Sequence, residues 1–223
     1  MSAMTSRPAR HVVRRVVAAA AVLLVATGCG TASEPSPPAG VDGLTVPTPS
    51  PDPADFVGEI DNPWLPLALG ESWTYRTVGG ASEEWSVQAG PEIAGVPTTA
   101  LVTGAGTDYY AQDAAGNVWW FGRDGEWQAG VGGAEAGIAM LATPRVGDGY
   151  VEARPGPRAE ILELEGVVQT EAWELEDLLV IESTEPDGRV VQSYYARDAG
   201  LVSRETVAGT PDVALQLVAG STP

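Results

Sequence analysis

The chain has 223 residues, with 30 Asp and Glu against 12 basic side chains, all of them arginine, and a formal charge of −18. This length holds one domain of ordinary size with a single core, and such an acid excess repels nucleic acid and anionic lipid headgroups. One histidine (His11), one cysteine (Cys29) and no lysine leave the body of the chain without a Ser-His-Asp triad, a Cys-His or Ser-Lys pair, a Schiff-base lysine or a His/Cys zinc site.

Residues 1–28 carry four arginines (Arg7, Arg10, Arg14, Arg15) and no acid, with an apolar run from Val16 to Ala26. A positive start, an apolar stretch too short for a permanent bilayer span and a small-residue exit predict a signal peptide. Arg14-Arg15 is a pair found in twin-arginine leaders, but "VVAAA" follows it, and an ordinary positive n-region is the better reading. The run Ala26-Thr27-Gly28-Cys29 resembles a bacterial lipobox, with alanine at Ala26 where leucine is commoner. That resemblance implies cleavage between Gly28 and Cys29 and transfer of diacylglycerol to the Cys29 thiol. Two or more acyl chains, such as palmitate, at about 0.8 kcal/mol per buried CH₂, anchor a protein stably. The expected location is therefore extracytoplasmic, held to the bacterial cell membrane. The mature chain has eight arginines against 30 acids, a formal charge of −22.

Residues 29–54 are rich in Pro, Ser, Thr and Gly and read as a flexible tether. At about 3.1 Å per residue in an extended form, it reaches up to ~75 Å from the bilayer. Residues 55–218 are expected to form one antiparallel β domain, a strongly curled sheet or half-barrel, and 219–223 a tail. In "ESWTYRTV" and "EEWSVQAG" the alternation places Trp73 with Tyr75 and Trp85 with Val87, a hairpin across Gly79-Gly80. "GVPTTALVTG", "TDYYAQD", "VWWFG" and "EWQAG" continue a meander. Ala134 to Leu141 is a candidate short helix, either a plug or lid on the curled sheet or part of a crossover loop. "RAEILELEG", "VVQTEAWEL", "DLLVIEST", "RVVQSYYARD", "LVSRETV" and "VALQLVA" follow as strands, broken by Gly, Pro or Asp. In "EILELEG", Leu162 and Leu164 are expected on a dry face opposite Glu163 and Glu165.

The stretch "YYAQDAAGNVWWFG" (Tyr109 to Gly122) reads as a hairpin reversed over Ala114 to Asn117, with Gly116 and Asn117 suited to positive φ. Its opening is echoed in "YYARDAG" from Tyr194. Trp119 and Phe121 share one face, Val118 and Trp120 the other. Two readings stay open: Tyr110, Trp120 and Tyr195 form an aromatic patch for an apolar or glycan ligand, or both faces are buried, one in the core and one under Ala134 to Leu141. The second is favoured.

Three runs, "FVGEIDNPWLPLALGESWTYR", "YYAQDAAGNVWWFG" and "AGIAMLATPRVGDGYVE", resemble in content and order a group of uncharacterised bacterial secreted proteins and lipoproteins. The group usually has tyrosine at Trp64, and the strands after Arg158 match only in character. The resemblance implies a shared fold and no activity. "YYARDAGLV" is similar to lipoprotein half-barrels that wrap an apolar interior, some around a central helix, some carrying acyl chains or lipoproteins.

The expected function is a non-catalytic binding or carrier module for an apolar or envelope-derived ligand, needing no cofactor. An envelope protein-interaction module is the alternative, and a carboxylate-dependent hydrolase a weaker one. No "D-x-D-x-D-G" calcium loop, Rossmann fingerprint or P-loop occurs, and no metal site is expected.

Overall fold

The computed structural model describes residues 52–170, 174–210 and 213–220. The expected cleavage and lipidation at Gly28 and Cys29 lie outside them. A 3₁₀ turn at Pro53–Asp55 leads into β1 (Phe56–Val57), and an irregular segment then runs to β2 (Ser72–Thr77). Next come β3 (Ser82–Ile93), β4 (Val96–Thr103), β5 (Gly106–Asp113), β6 (Val118–Arg123), β7 (Trp127–Gln128), β8 (Glu135–Met140), β9 (Gly149–Val151) and β10 (Ala153–Arg154). The chain continues through β11 (Arg158–Gln169), β12 (Glu174–Thr184), β13 (Val190–Ala196), β14 (Gly200–Ala208) and β15 (Ala214–Ala219).

All pairings are antiparallel, in the order β10-β8-β6-β5-β4-β3-β2-β15-β14-β13-β12-β11-β9, with β1 added to β5 and β7 to β6. The sheet curls further than a half-barrel. Only Glu152 separates β9 from β10, and these two strands pair with β11 and β8, the opposite ends of the sheet. One kinked segment therefore draws the two edges together into a nearly closed barrel, which removes the long free edges an open sheet exposes.

The candidate helix at Ala134 to Leu141 is strand β8 instead. Ala, Glu, Met and Leu favour a helix, but this run lies along β6, with Ile138 opposite Trp119 and Gly137 opposite Trp120. Gly137 weakens a helix and serves the strand, because a Cβ there would fall on the Val151 carbonyl oxygen. The run "VVQTEAWEL" is not a strand of its own: its first residues end β11 and its last ones begin β12. Gly166 sits buried at a register shift rather than in a turn. Three shifts along β11 also break the expected alternation, so Leu164 is exposed while Ile161 is fully buried.

Two cores result. The inner one lies inside the barrel: Val118, Met140, Ile161, Leu179 and Val202 have no exposed surface. Trp73, Tyr75, Trp85 and Val87 all join it, as the β2–β3 alternation predicts. The outer one lies on the other side of β4–β6, where Tyr109, Ala111, Trp119 and Phe121 are covered by Phe56, Ala129, Ala136 and neighbours. The ring of Phe56 meets Trp119 and Phe121 edge-on, at 6.2 and 5.2 Å between centroids. Both faces of the β5–β6 hairpin are thus covered, with Tyr110 and Trp120 half-buried, but Ala134 to Leu141 does not lie over either face as expected: it runs beside β6 as the next strand.

Its turn differs from expectation in one respect. Gly116 has φ +90°, but Asn117 is not left-handed. Asn117 works through its side chain, donating from Nδ2 to Asp113 Oδ2 (3.0 Å) and accepting from the Ala142 amide (2.9 Å).

The segment before β2 joins the two echoed hairpins. Asn62, 2% exposed, donates from Nδ2 to the carbonyls of Gly116 (2.8 Å) and Leu141 (3.2 Å). Its Oδ1 accepts from the amides of Trp64 (2.9 Å) and Leu65 (3.3 Å). One residue further, the Pro63 carbonyl accepts from the Asp198 amide (2.7 Å), in the turn of the second hairpin. Arg197 of that turn stacks on the Trp64 ring at 4.3 Å. The "DNPW" run is a staple across one end of the barrel.

Candidate functional site: a polar half-lumen

Within the barrel, polar and titratable side chains face inward beside fully buried apolar ones such as Ile161 and Leu179. The strand β14 supplies the central one. A register shift between Tyr194 and Tyr195 puts an extra residue into β14, so that Leu201 opposes Tyr195 and Arg204 opposes Ser193. Ser193 and Tyr195 are both buried and lie on one face of β13. Arg204 Nε donates to Ser193 Oγ at 3.0 Å, and the guanidinium also bonds the Tyr195 side chain.

Arg204 interacts electrostatically with Tyr110 of β5 and with Glu152 between β9 and β10. Along the sheet, β5 is five strands from β14 and β9 four strands in the other direction. At about 4.8 Å per strand these are paths of roughly 24 and 19 Å, so the interactions cross the lumen. Arg204, Glu152 and Tyr110 nevertheless stay half-buried rather than sealed. With Ser193 and Tyr195 they form a polar cluster on the inner side of the sheet.

The chemistry of this cluster is set by burial. Glu152 accepts a 2.6 Å hydrogen bond from Ser183 Oγ. Desolvation raises its carboxyl above the usual carboxylate range, and the Ser183 bond and Arg204 oppose the rise only in part. Burial likewise pushes the hydroxyls of Tyr110, Tyr150 and Tyr75 upward, so all three stay protonated. Burial alone would lower Arg204; Tyr195, Tyr110 and Glu152 outweigh it and keep the guanidinium charged. Tyr75 Oη donates to the Leu201 carbonyl (2.8 Å). Tyr150 Oη and Trp73 Nε1, both on buried residues, have no hydrogen-bond partner. A buried donor left unmade costs about 1–3 kcal/mol.

Of the three residues proposed from sequence as an aromatic patch, Tyr110 and Tyr195 meet in this lumen, each within electrostatic reach of the other and of Arg204. Trp120 lies opposite Tyr110 on the same face. Its indole is engaged: Nε1 donates to Asp108 Oδ1 (3.0 Å) and the Gly122 carbonyl (2.8 Å), and the ring meets Trp127 edge-on at 4.9 Å. Asp108 is in turn held by Arg123 through two bonds of 2.9 and 2.8 Å. Sequence reasoning missed Arg204, Glu152, Tyr150 and Ser193. In "LVSRETV" an arginine among alternating polar residues reads as solvent-facing, and only the β13–β14 shift turns it inward.

A cleft of about 860 Å³ opens beside the staple, where Trp64, Pro144, Leu164, Leu175 and Leu178 meet Arg197, Glu165 and Asp177. It lies at the start of β12, whereas Ser183 is near that strand's finish. One wall is the β11–β12 arm, whose outer half pairs with no further strand. Among the described residues no cluster of His, Cys, Asp and Glu could hold a metal ion, and no helix is long and apolar enough to cross a membrane.

In comparisons with known proteins, no family model, no curated protein and no solved structure matches this chain.

Proposed function

We propose that this protein is a membrane-tethered, extracytoplasmic binding module whose barrel takes up a small amphiphilic, envelope-derived molecule. Cys29 would carry the lipid anchor and residues 29–54 would hold the barrel clear of the bilayer. The observation that carries the reading is the cluster of polar and aromatic groups that the curled sheet turns inward, with a charged Arg204 and the buried, unpartnered Tyr150 Oη. Concave sites lined by rings with a few convergent polar groups are where small ligands bind.

The interaction-module reading is favoured by a different observation. On the arm, Leu164 and Val167 are 36% and 58% exposed, and such side chains on a two-stranded ribbon suit contact with another protein.

Titration with the neutral apolar fluorophore N-phenyl-1-naphthylamine separates the two. Full chain held in an amphipol is expected to show saturable, one-to-one energy transfer from tryptophan to the probe above the amphipol blank. Substituting Tyr150 and Tyr195 by alanine should weaken it severalfold, and Leu164→Ser with Val167→Ser should leave it unchanged. A non-saturable response equal to the blank would leave the interaction module as the better reading.

A further inference from the structure

The cleft of about 860 Å³ beside the staple follows from unequal pairing along β12. Towards β11, pairing reaches back to Glu174, opposite Gln169. Towards β13 it starts only at Leu179, opposite Tyr195, because β13 ends at Ala196 and the turn at Arg197 and Asp198 carries the chain over to β14. Residues Glu174 to Leu178 therefore have a strand on one side only, and the cleft opens where β13 stops: Leu175, Glu176, Asp177 and Leu178 line it together with Ala196 and Arg197. Its volume falls in the range of about 300–1,000 Å³ usual for ligand clefts. A bare strand edge presents free backbone donors and acceptors. An extended chain laid along it gains main-chain hydrogen bonds, while alternate side chains enter the pockets beside it.

The charge of the cleft decides its occupant. Leu164, 36% exposed, and half-buried Leu175 supply apolar surface. Around them Glu165, Glu176 and Asp177 are exposed and enter no ion pair among the described residues. Arg197, the one base lining the cleft, is stacked on the Trp64 ring at 4.3 Å. A second copy would bring the same three carboxylates to the same edge, and like charges opposed across paired strands are destabilising. Residues 29–51 carry two acids, Glu34 and Asp42, and no base. Neither offsets the carboxylates; a basic segment does. The edge also limits the length of that segment. Between the pairs Gly166–Leu178 and Val168–Leu175, β12 has one residue more than β11, a bulge containing the left-handed Asp177 (φ 55°). Bulges re-aim side chains and cut pairing short, which suits a short segment held by its side chains better than a long strand.

We propose that this cleft docks a short extended segment of an envelope protein in which basic and apolar side chains alternate, the bases meeting Glu165, Glu176 and Asp177 and the apolar side chains covering Leu164 and Leu175. The inference rests on the interaction reading of the arm and gives it a partner of stated chemistry; it does not involve amphiphile uptake inside the barrel.

The test is fluorescence anisotropy of labelled hexapeptides with the full chain in dodecyl maltoside micelles. Three probes alternate lysine with valine, glutamate with valine, and lysine with serine. The lysine–valine probe is expected to bind at least about tenfold more tightly than either of the others, and to weaken as salt rises. Glu165→Gln with Glu176→Gln and Asp177→Asn should cost it about tenfold; asparagine tolerates the left-handed backbone at 177. Removing the same charge at exposed residues outside the cleft, by Glu59→Gln with Glu92→Gln and Glu126→Gln, should leave binding within about twofold, which separates the cleft from general attraction to an acidic surface. Leu164→Ser with Leu175→Ser should reduce the lysine–valine probe to the level of the lysine–serine one. Bound probe should slow amide exchange at 174–178 and not at β9 or β10. Equal affinity for all three probes, or a cleft variant that binds like the outside variant, overturns the basic partner and leaves the arm as an interaction surface. A concentration-dependent dimer in sedimentation, lost in Leu164→Ser with Leu175→Ser, overturns it in favour of a second copy. Binding of no probe, with no such dimer, overturns both, and none of these results bears on the fluorophore titration of the barrel.

Discussion

Asn62→Ala is expected to lower the melting temperature by about 10 °C, at roughly 2–4 °C per kcal/mol for a chain of this size. The side chain satisfies the carbonyls of Gly116 and Leu141 and the amides of Trp64 and Leu65, in a site with 2% exposure. Removing it strands these groups where water has little access, at about 1–3 kcal/mol for each buried group left without a partner. About 4 kcal/mol in all is reasonable, because Leu65 keeps a bond to the Asn62 carbonyl at 3.1 Å. The damage also spreads, since Pro63 and Trp64 hold the second hairpin through Asp198 and Arg197. Asn62→Asp keeps the acceptor and loses both donors, so its loss should be intermediate. Thermal and urea unfolding of the three proteins measure this, and a shift below about 2 °C for Asn62→Ala would refute the staple.

Gly137→Ala should open the seam that closes the barrel. A Cβ at this position meets backbone, not a side chain that can rotate away: the Val151 carbonyl oxygen, and Glu152 carbonyl carbon and oxygen at 2.5 and 2.6 Å. The β8–β10 contact has only two paired positions, Ala136 with Ala153 and Glu135 with Arg154, so it has little to resist displacement. Overpacking of this kind costs about 1–3 kcal/mol, a fall of roughly 5 °C in melting temperature. Hydrogen exchange should locate it, with faster exchange at β9 and β10 and none of that change at β13 or β14. Gly58→Ala, where a Cβ meets nothing within 4 Å, should be silent. If Gly137→Ala melts with the parent and exchanges like it, β10 is not clamped as described.

Much of the sheet was legible because period-two alternation and turn residues were strong where strands were long. Trp73, Tyr75, Trp85 and Val87 read correctly as one inward face, and the Tyr109 to Gly122 run as a hairpin with two covered faces. The closure was not legible: β9 and β10 have three and two residues, too short for any periodicity, and their "GYVEARPG" run reads as loop. The β11–β12 arm failed for the opposite reason, since its register shifts scramble an alternation that looked regular in "EILELEG". Helix propensity in Ala134 to Leu141 was overridden by the edge of β6, a tertiary preference no local pattern contains. Of the site, the rings Tyr110 and Tyr195 could be picked out as aromatic, but Arg204 could not, because its inward direction depends on one extra residue in β14. Asn62 was hidden in a similar way: its partners Gly116 and Leu141 are 54 and 79 residues away.

Native mass spectrometry of the full chain, extracted from its own bacterial membrane and released gently from the micelle, tests the central claim most directly. The expected protein begins at a diacylglyceryl-modified Cys29 and carries one non-covalent amphiphile adduct, retained by the parent and lost when Tyr150 and Tyr195 are replaced by alanine. An adduct-free spectrum from the parent at every concentration, or an adduct kept equally by that variant, would contradict it.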